Sequence, residues 1–213
     1  EYAVDLKRDR QGKASFYLLQ IKPLISSMQK CDINLNKIKK EEIILYSVKG
    51  MGNGCVDDIT DVIYIDPENV DKSKTFEMSE EIERINSQMQ ESDRSYILIG
   101  PGRWGTRDRW IGIPVKWHQI SNAKVIVETS LDDFPLDASY GSHFFHNVTT
   151  MDVGYFTVQP ELSKSYIQYD IFEQQELIYQ GQYFKHIRFK RPVHVKMDGR
   201  KRIYLIHAND AAD

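Results

Sequence analysis

The sequence predicts a mixed α/β protein, on three observations. Between residues 43 and 158, short aliphatic runs of strand character alternate with helical patterns, as in an α/β sandwich. From residue 176 onward strand-like runs dominate, with Asp198-Gly199 as a hairpin turn, so a small β-rich unit is expected at 166–213. At the start, two apolar runs joined by a charged turn read as a hairpin, a unit only marginally stable by itself. The expected division is a hairpin at 1–25, a linker at 26–42, an α/β domain at 43–165 and the β-rich unit.

Glu1-Tyr2-Ala3-Val4-Asp5-Leu6 supplies the first strand and Ser15-Phe16-Tyr17-Leu18-Leu19-Gln20-Ile21-Lys22 the second, stopped by Pro23. The stretch 30–40 is basic and of low complexity, which reads as linker. Strands are expected at 43–48, ended by Gly50, Gly52 and Gly54, and at 61–66, stopped by Pro67. Met78, Ile82, Ile85 and Met89 share one helical face, with Ser79 as cap and Glu80 and Glu81 in the first turn. Tyr96-Ile97-Leu98-Ile99 is a short buried-type strand running into Gly100-Pro101-Gly102-Arg103-Trp104-Gly105. A strand at 124–128, a short helix from Ser142 or His143 to Met151 and a strand at 154–158 follow. In the tail, 176–184, 187–197 and 202–206 read as strands.

Composition removes several functional classes. With 41% hydrophobic and 28% charged residues the chain can build an ordinary core, and a net charge of −3 gives no global attraction for nucleic acid or acidic membranes. No apolar run approaches the roughly 20 residues of a membrane span, and no signal-peptide pattern opens the sequence, so a cytoplasmic location is expected. Cys31 and Cys55 have no metal-type spacing, and a disulfide framework is not expected in a chain of this size.

Four constellations carry chemistry. Alternation puts Gln20 and Lys22 on one strand face, and Glu1 can face them: a carboxylate suits Mg²⁺, and an amide and a cation suit phosphate. In the loop after Ile99, Gly100, Gly102 and Gly105 stand among Arg103, Arg107 and Arg109; a glycine-rich turn after a strand can aim N–H groups at a phosphate. The same loop lacks the P-loop and dinucleotide spacings, and Trp104 and Trp110 favour reading it as a structural anchor before an anion contact. His143, in Gly141-Ser142-His143, stands at a helix start, where the helix dipole favours added negative charge and neutral imidazole is a nucleophile; the alternative is a structural histidine. His143, His146 and His118 fall short of a convincing zinc set, so no metal site is expected. Finally Lys185, Arg188, Lys190, Arg191, Lys196, Arg200, Lys201 and Arg202 alternate with apolar residues. That pattern reads as a solvated face or a dock for an acidic domain before an RNA or nucleotide surface.

Three of these stretches resemble one enzyme family. The opening hairpin, through Leu19-Gln20-Ile21-Lys22-Pro23, resembles the last hairpin of the ATP-grasp domain of pyruvate, phosphate dikinase and phosphoenolpyruvate synthase. That family ends the strand Leu-Gln-x-Arg-Pro, and Lys22 in place of arginine gives up bidentate phosphate recognition. Gly52-Asn53-Gly54 with its following strand, and Gly141-Ser142-His143 with its helix and the strand after Gly154, resemble the family's swivelling phosphohistidine domain. A single glycine precedes Ser142 where the family has a pair, and Phe144, Phe145 and Asn147 replace an alanine-rich stretch.

The resemblance implies a phosphohistidine-like swivelling α/β sandwich preceded by a remnant ATP-grasp hairpin. It further implies ATP and Mg²⁺ as cofactors of an intact parent, with Glu1, Gln20 and Lys22 facing the nucleotide phosphates and His143 as the phosphocarrier. The partners it implies are an upstream ATP-grasp domain and a pyruvate or phosphoenolpyruvate domain, a barrel this chain is too short to contain. The expected function is a fragment of an ATP-dependent phosphotransferase, inactive alone; the rival is a non-catalytic module recognising a phosphorylated ligand or partner domain.

Overall fold

The computed structural model describes residues 2–8, 10–18, 31, 33–130, 143–160 and 164–208; the side chains of residues 69, 143, 145, 146 and 149 fall outside that description. The expected hairpin is present. Strands β1 (Tyr2–Asp5) and β2 (Ser15–Leu18) pair antiparallel as a sheet of their own, with Tyr2 opposite Leu18 and Val4 opposite Phe16. Cross-strand pairing puts these four on one face, where the Tyr2 and Phe16 rings stack 5.4 Å apart, and all four are exposed.

The other major strands belong to one ten-stranded sheet. In chain order the elements are β3 (Ile43–Ser47), β4 (Lys49–Met51), β5 (Gly54–Ile65), helix α1 (Thr75–Glu91) and β6 (Tyr96–Pro101), then the short pair β7 (Arg103–Trp104) and β8 (Gly112–Ile113). They continue with β9 (Ala123–Thr129), α2 (His143–Thr150), β10 (Gly154–Val158), β11 (Tyr166–Ile167), α3 (Asp170–Glu173), β12 (Glu176–Gln180), β13 (Phe184–Asp198) and β14 (Ile203–His207). The strand order is β11-β3-β14-β13-β5-β6-β9-β10-β4, with β12 also on β13. Neighbours among β5, β6, β9 and β10 run parallel, and every other pairing in this sheet is antiparallel.

The sheet is curled. Strands β3 and β4 are joined by Val48 alone, yet stand near opposite ends of the strand order, so the two ends must come together. Polar contacts fasten the closure: the Ser47 hydroxyl lies 2.6 Å from the Thr157 carbonyl, and the Tyr204 hydroxyl donates to the Gly50 carbonyl at 2.6 Å. Leu45, Val62, Ile97, Val127, Phe156, Val195 and Ile206 line the inside, with Phe172 of α3. The outer face carries a second core in which Met78, Ile82, Ile85 and Met89 of α1 cover Ile63, Leu98 and Ile126. The fold is thus mixed α/β and rich in strands. The tail expected as a separate β-rich unit lies within this sheet, for β13 sits between β14 and β5. Strand partners more than a hundred residues apart leave no local trace in the sequence.

Helix α1 buries the face its periodicity predicts, but begins at Thr75, one turn before the expected cap. Ser79 lies inside the helix and bonds back to the Phe76 carbonyl at 2.7 Å, so it is no cap. Asn86 on the buried side fixes the helix to two other segments. Its Oδ1 accepts from the Tyr96 hydroxyl and the Asn122 N–H, and its Nδ2 donates to the His118 carbonyl. Glu81 accepts the backbone N–H groups of Tyr183 and Phe184, tying the turn between β12 and β13 to the helix.

The stretch expected as a linker is partly packed. Ile33 is buried with Ile43 and Leu205, and Cys31 is disulfide-bonded to Cys55 of β5, their Cα atoms 5.5 Å apart. Two cysteines without any recognisable spacing are thus a staple, because the fold brings the stretch before β3 across the start of β5. The bridge closes a 24-residue separation, which in the chain-entropy account stabilises by about 3 kcal/mol. Urea denaturation of Cys31→Ser is expected to show that loss; dithiothreitol should reproduce it in the parent and have no effect on the variant.

Candidate functional site

Ligands of parallel sheets gather at the carboxyl ends of the strands. Here β6 ends at Gly100-Pro101 directly opposite Glu128 and Thr129 at the end of β9, and Thr157 of β10 lies on the other side of Glu128. The chain leaves β9 at this end, while α2 enters β10 at the other through only three residues. The N-terminus of α2 therefore belongs to the same end as Glu128, and Phe144, its second residue, packs there against Trp117.

The glycine–arginine loop folds back over this edge. Trp104 is buried, its indole Nε1 donating to the Val127 carbonyl at 3.1 Å, and its ring lies so close to Gly100 that a Cβ there would stand 2.4 Å from it. Gly105 has φ +74°, and a Cβ on it would meet the Phe144 ring at 2.4 Å. The loop's backbone donors are directed inward. Gly102 N–H bonds to the Thr129 carbonyl, Arg103 N–H to Ile111, Gly105 N–H to Ile113, and Trp104 N–H to Glu128 Oε1 at 3.0 Å. Two of these groups, from Gly102 and Trp104, hold the loop to β9 and the other two close the loop on itself, so the N–H cradle that the glycine spacing suggests is committed to structure.

The side chains leave more chemistry. Glu128 is buried, and that burial pushes its carboxyl up to about 7, against the easing effect of the Tyr155 hydroxyl, the Trp104 N–H and the Arg103 charge. A buried carboxyl that titrates near neutrality is equipped to hold or release a proton. The Nε of Arg103 is buried and makes no hydrogen bond among the described residues. An acid–base group and a guanidinium donor thus stand together beside the start of α2.

Of the residues singled out in the sequence, Gly100, Gly102, Arg103 and Gly105 meet at this edge. His143 is the first residue of α2, which places its backbone at the same end of the sheet, while its ring lies outside the described residues. Glu1, Gln20 and Lys22 also lie outside them. His118 sits on a separate 3-10 turn, with Nε2 3.5 Å from Glu83 Oε1. Among the described residues no group of three or more His, Cys, Asp or Glu is placed to hold a metal ion. No helix among them is long and apolar enough to cross a membrane. Glu128 and Tyr155 were missed, although alternation from buried Ile126 points Glu128 to the helix-covered face.

Glu128 gives a pH signature with a definite sign. Unfolded, it loses its proton in the ordinary glutamate range; folded, it keeps it until about 7. Its contribution to stability is therefore fully present below the ordinary range and is lost as pH rises to about 7, by about 3 kcal/mol in all. Denaturation between pH 4 and 8 should show this decline in the parent and a flatter profile in Glu128→Gln.

The chain matches no protein-family model, no curated protein and no solved structure, so the chemistry of this edge rests on its own residues.

Proposed function

We propose that the chain is part of a phosphotransferase similar to pyruvate, phosphate dikinase and phosphoenolpyruvate synthase, with His143 as phosphocarrier in a swivelling-type domain. The observation that carries this reading is the placement of His143 at the first position of a helix between parallel strands, on the edge that holds Glu128 and Arg103. In the proposed step a neutral imidazole nitrogen attacks phosphorus, the N–P bond forms, and the bond to the donor's leaving oxygen breaks with its electron pair. The helix N-terminus and the Arg103 guanidinium favour the dianionic phosphoryl group, and Glu128 is suited to hold a proton beside it. The residues that the resemblance assigns to ATP and Mg²⁺ (Glu1, Gln20 and Lys22) lie outside the described residues, and no step is routed through them.

A second reading, a non-catalytic module that recognises a phosphorylated ligand, is favoured by one feature: the buried Nε of Arg103, which makes no hydrogen bond among the described residues. The two readings separate on covalent labelling. In a polypeptide that joins this chain to its ATP-grasp domain, incubation with radiolabelled ATP is expected to leave acid-labile phosphate on the protein, and His143→Asn to abolish it. Absent label, with Arg103-dependent binding of a phosphorylated ligand, would establish the second reading. By itself the chain offers one edge of a nucleotide site at most, so calorimetry with ATP is expected to show no submicromolar affinity.

A further inference from the structure

At the opposite end of the parallel strands, where β6 begins, lies a second polar cluster that the reading above does not use. Asp61 of β5 stands beside Tyr96 of β6 on one side and Arg188 of β13 on the other, and its side chain is 1% exposed. Its Oδ1 accepts from Arg188 Nε at 2.9 Å and lies 2.7 Å from His186 Nε2. Its Oδ2 accepts from Arg94 Nη2 at 2.6 Å, Arg94 Nε at 3.1 Å and the Thr60 hydroxyl at 2.8 Å. Burial alone would raise this carboxyl, but the bonds from His186, Arg94, Thr60 and Arg188 hold it well below the ordinary range. Asp61 is thus ionised and only accepts, so His186 Nε2 carries a proton.

The cluster has more cation than its carboxylate needs. Two guanidinium groups face one negative charge, which leaves an excess of one before His186 is counted. Arg188 spends only Nε on Asp61; its two terminal nitrogens make no hydrogen bond among the described residues, and its side chain is 32% exposed. Arg94 keeps Nη1 in the same condition and is 36% exposed. Both guanidiniums are fixed through oxygens of a single buried carboxylate, which orders them beside it. The register of β13 against β5 shifts after Arg188, and the exposed Lys190 lies in that irregular stretch. Exposed Glu176 on β12 is paired in register with Arg188 but makes no ion pair with it among the described residues.

We propose that Arg188 and Arg94, held by Asp61, form a binding site for a phosphate group, carried as inorganic phosphate or a small phosphate monoester. The excess charge and two ordered guanidiniums suit a tetrahedral dianion, and a guanidinium fork matches phosphate oxygens in a way a lysine ammonium does not. The site is independent of the Arg103 edge.

The test is calorimetric titration of this chain with sodium phosphate at constant ionic strength, with phenyl phosphate and acetate as parallel arms. Saturable binding of phosphate or of phenyl phosphate is expected, and which of the two is tighter tells the free anion from the monoester. Arg188→Lys keeps the charge beside Asp61 but loses the fork, and is expected to weaken binding about tenfold or more with little change in thermal midpoint. Should Arg188→Lys disturb folding, perturbation of the Arg188 and Arg94 Nε–H resonances by phosphate in the parent protein reads the same contact. The proposal is overturned by the absence of saturable binding, by acetate binding as tightly as phosphate, or by full binding in Arg188→Lys.

Discussion

One covalent constraint organises this fold: Val48 alone joins β3 to β4, two strands near opposite ends of the sheet. A flat sheet of ten strands could not satisfy that link, because strands lie about 4.8 Å apart and one residue spans less than 4 Å. The sheet must curl until its ends meet. The curl then provides an interior that strands of both halves fill together, with the ring of Phe156 of β10 tilted against that of Tyr204 of β14. It also explains Gly50, where a Cβ would stand 2.6 Å from the Tyr155 carbonyl and 3.1 Å from the Tyr204 ring. At the seam, the backbone passes too close to its neighbours for a side chain.

The inner face is closed on itself with Phe172 of α3 packed into it, and α1, α2 and the glycine–arginine loop cover the outer face. Trp104 fills the space at the carboxyl end of β6 and β9, packing near Phe184 of β13. That arrangement buries Glu128 and directs the Gly102 and Trp104 N–H groups toward β9. The loop's structural role and its chemistry are therefore not alternatives: the glycines and Trp104 anchor it, and the anchoring produces the desolvated carboxyl.

Much of this was legible in the sequence, wherever the signal was local. The apolar face of α1, the strands at 43–47, 96–101, 123–129 and 154–158, the Asp198-Gly199 turn and the helix start at His143 follow periodicity and turn chemistry. Ser79 misled because a serine followed by two glutamates satisfies the capping pattern wherever it stands, while the helix is entered through a 3-10 turn that Asp71 caps instead. The segment 30–40 misled because Ile33 is an isolated apolar residue whose partners, Ile43 and Leu205, come from strands apart in sequence. The pairing of Cys31 with Cys55 and the insertion of β13 between β14 and β5 are long-range facts of the same kind. Glu128 could have been found from strand alternation; the donors to Asp61, drawn from residues 94, 186 and 188, could not.

Two buried strand carboxylates, Asp61 and Glu128, show why neighbours matter more than burial. Each sits in a strand among apolar residues, and desolvation is the largest influence on both. Asp61 meets two guanidiniums at hydrogen-bond distance, a histidine N–H and a hydroxyl, so its charged form is favoured despite burial. Glu128 meets neutral donors, and the Arg103 charge acts on it without an ion pair among the described residues, so desolvation prevails and the proton is retained near neutrality. The same sheet therefore holds a fixed negative charge at one end of its parallel strands and a titratable proton at the other. Fixed charge can position cationic side chains but cannot exchange protons; a titratable carboxyl can. This difference suits the Glu128 edge to proton exchange and the Asp61 end to holding cationic side chains in place.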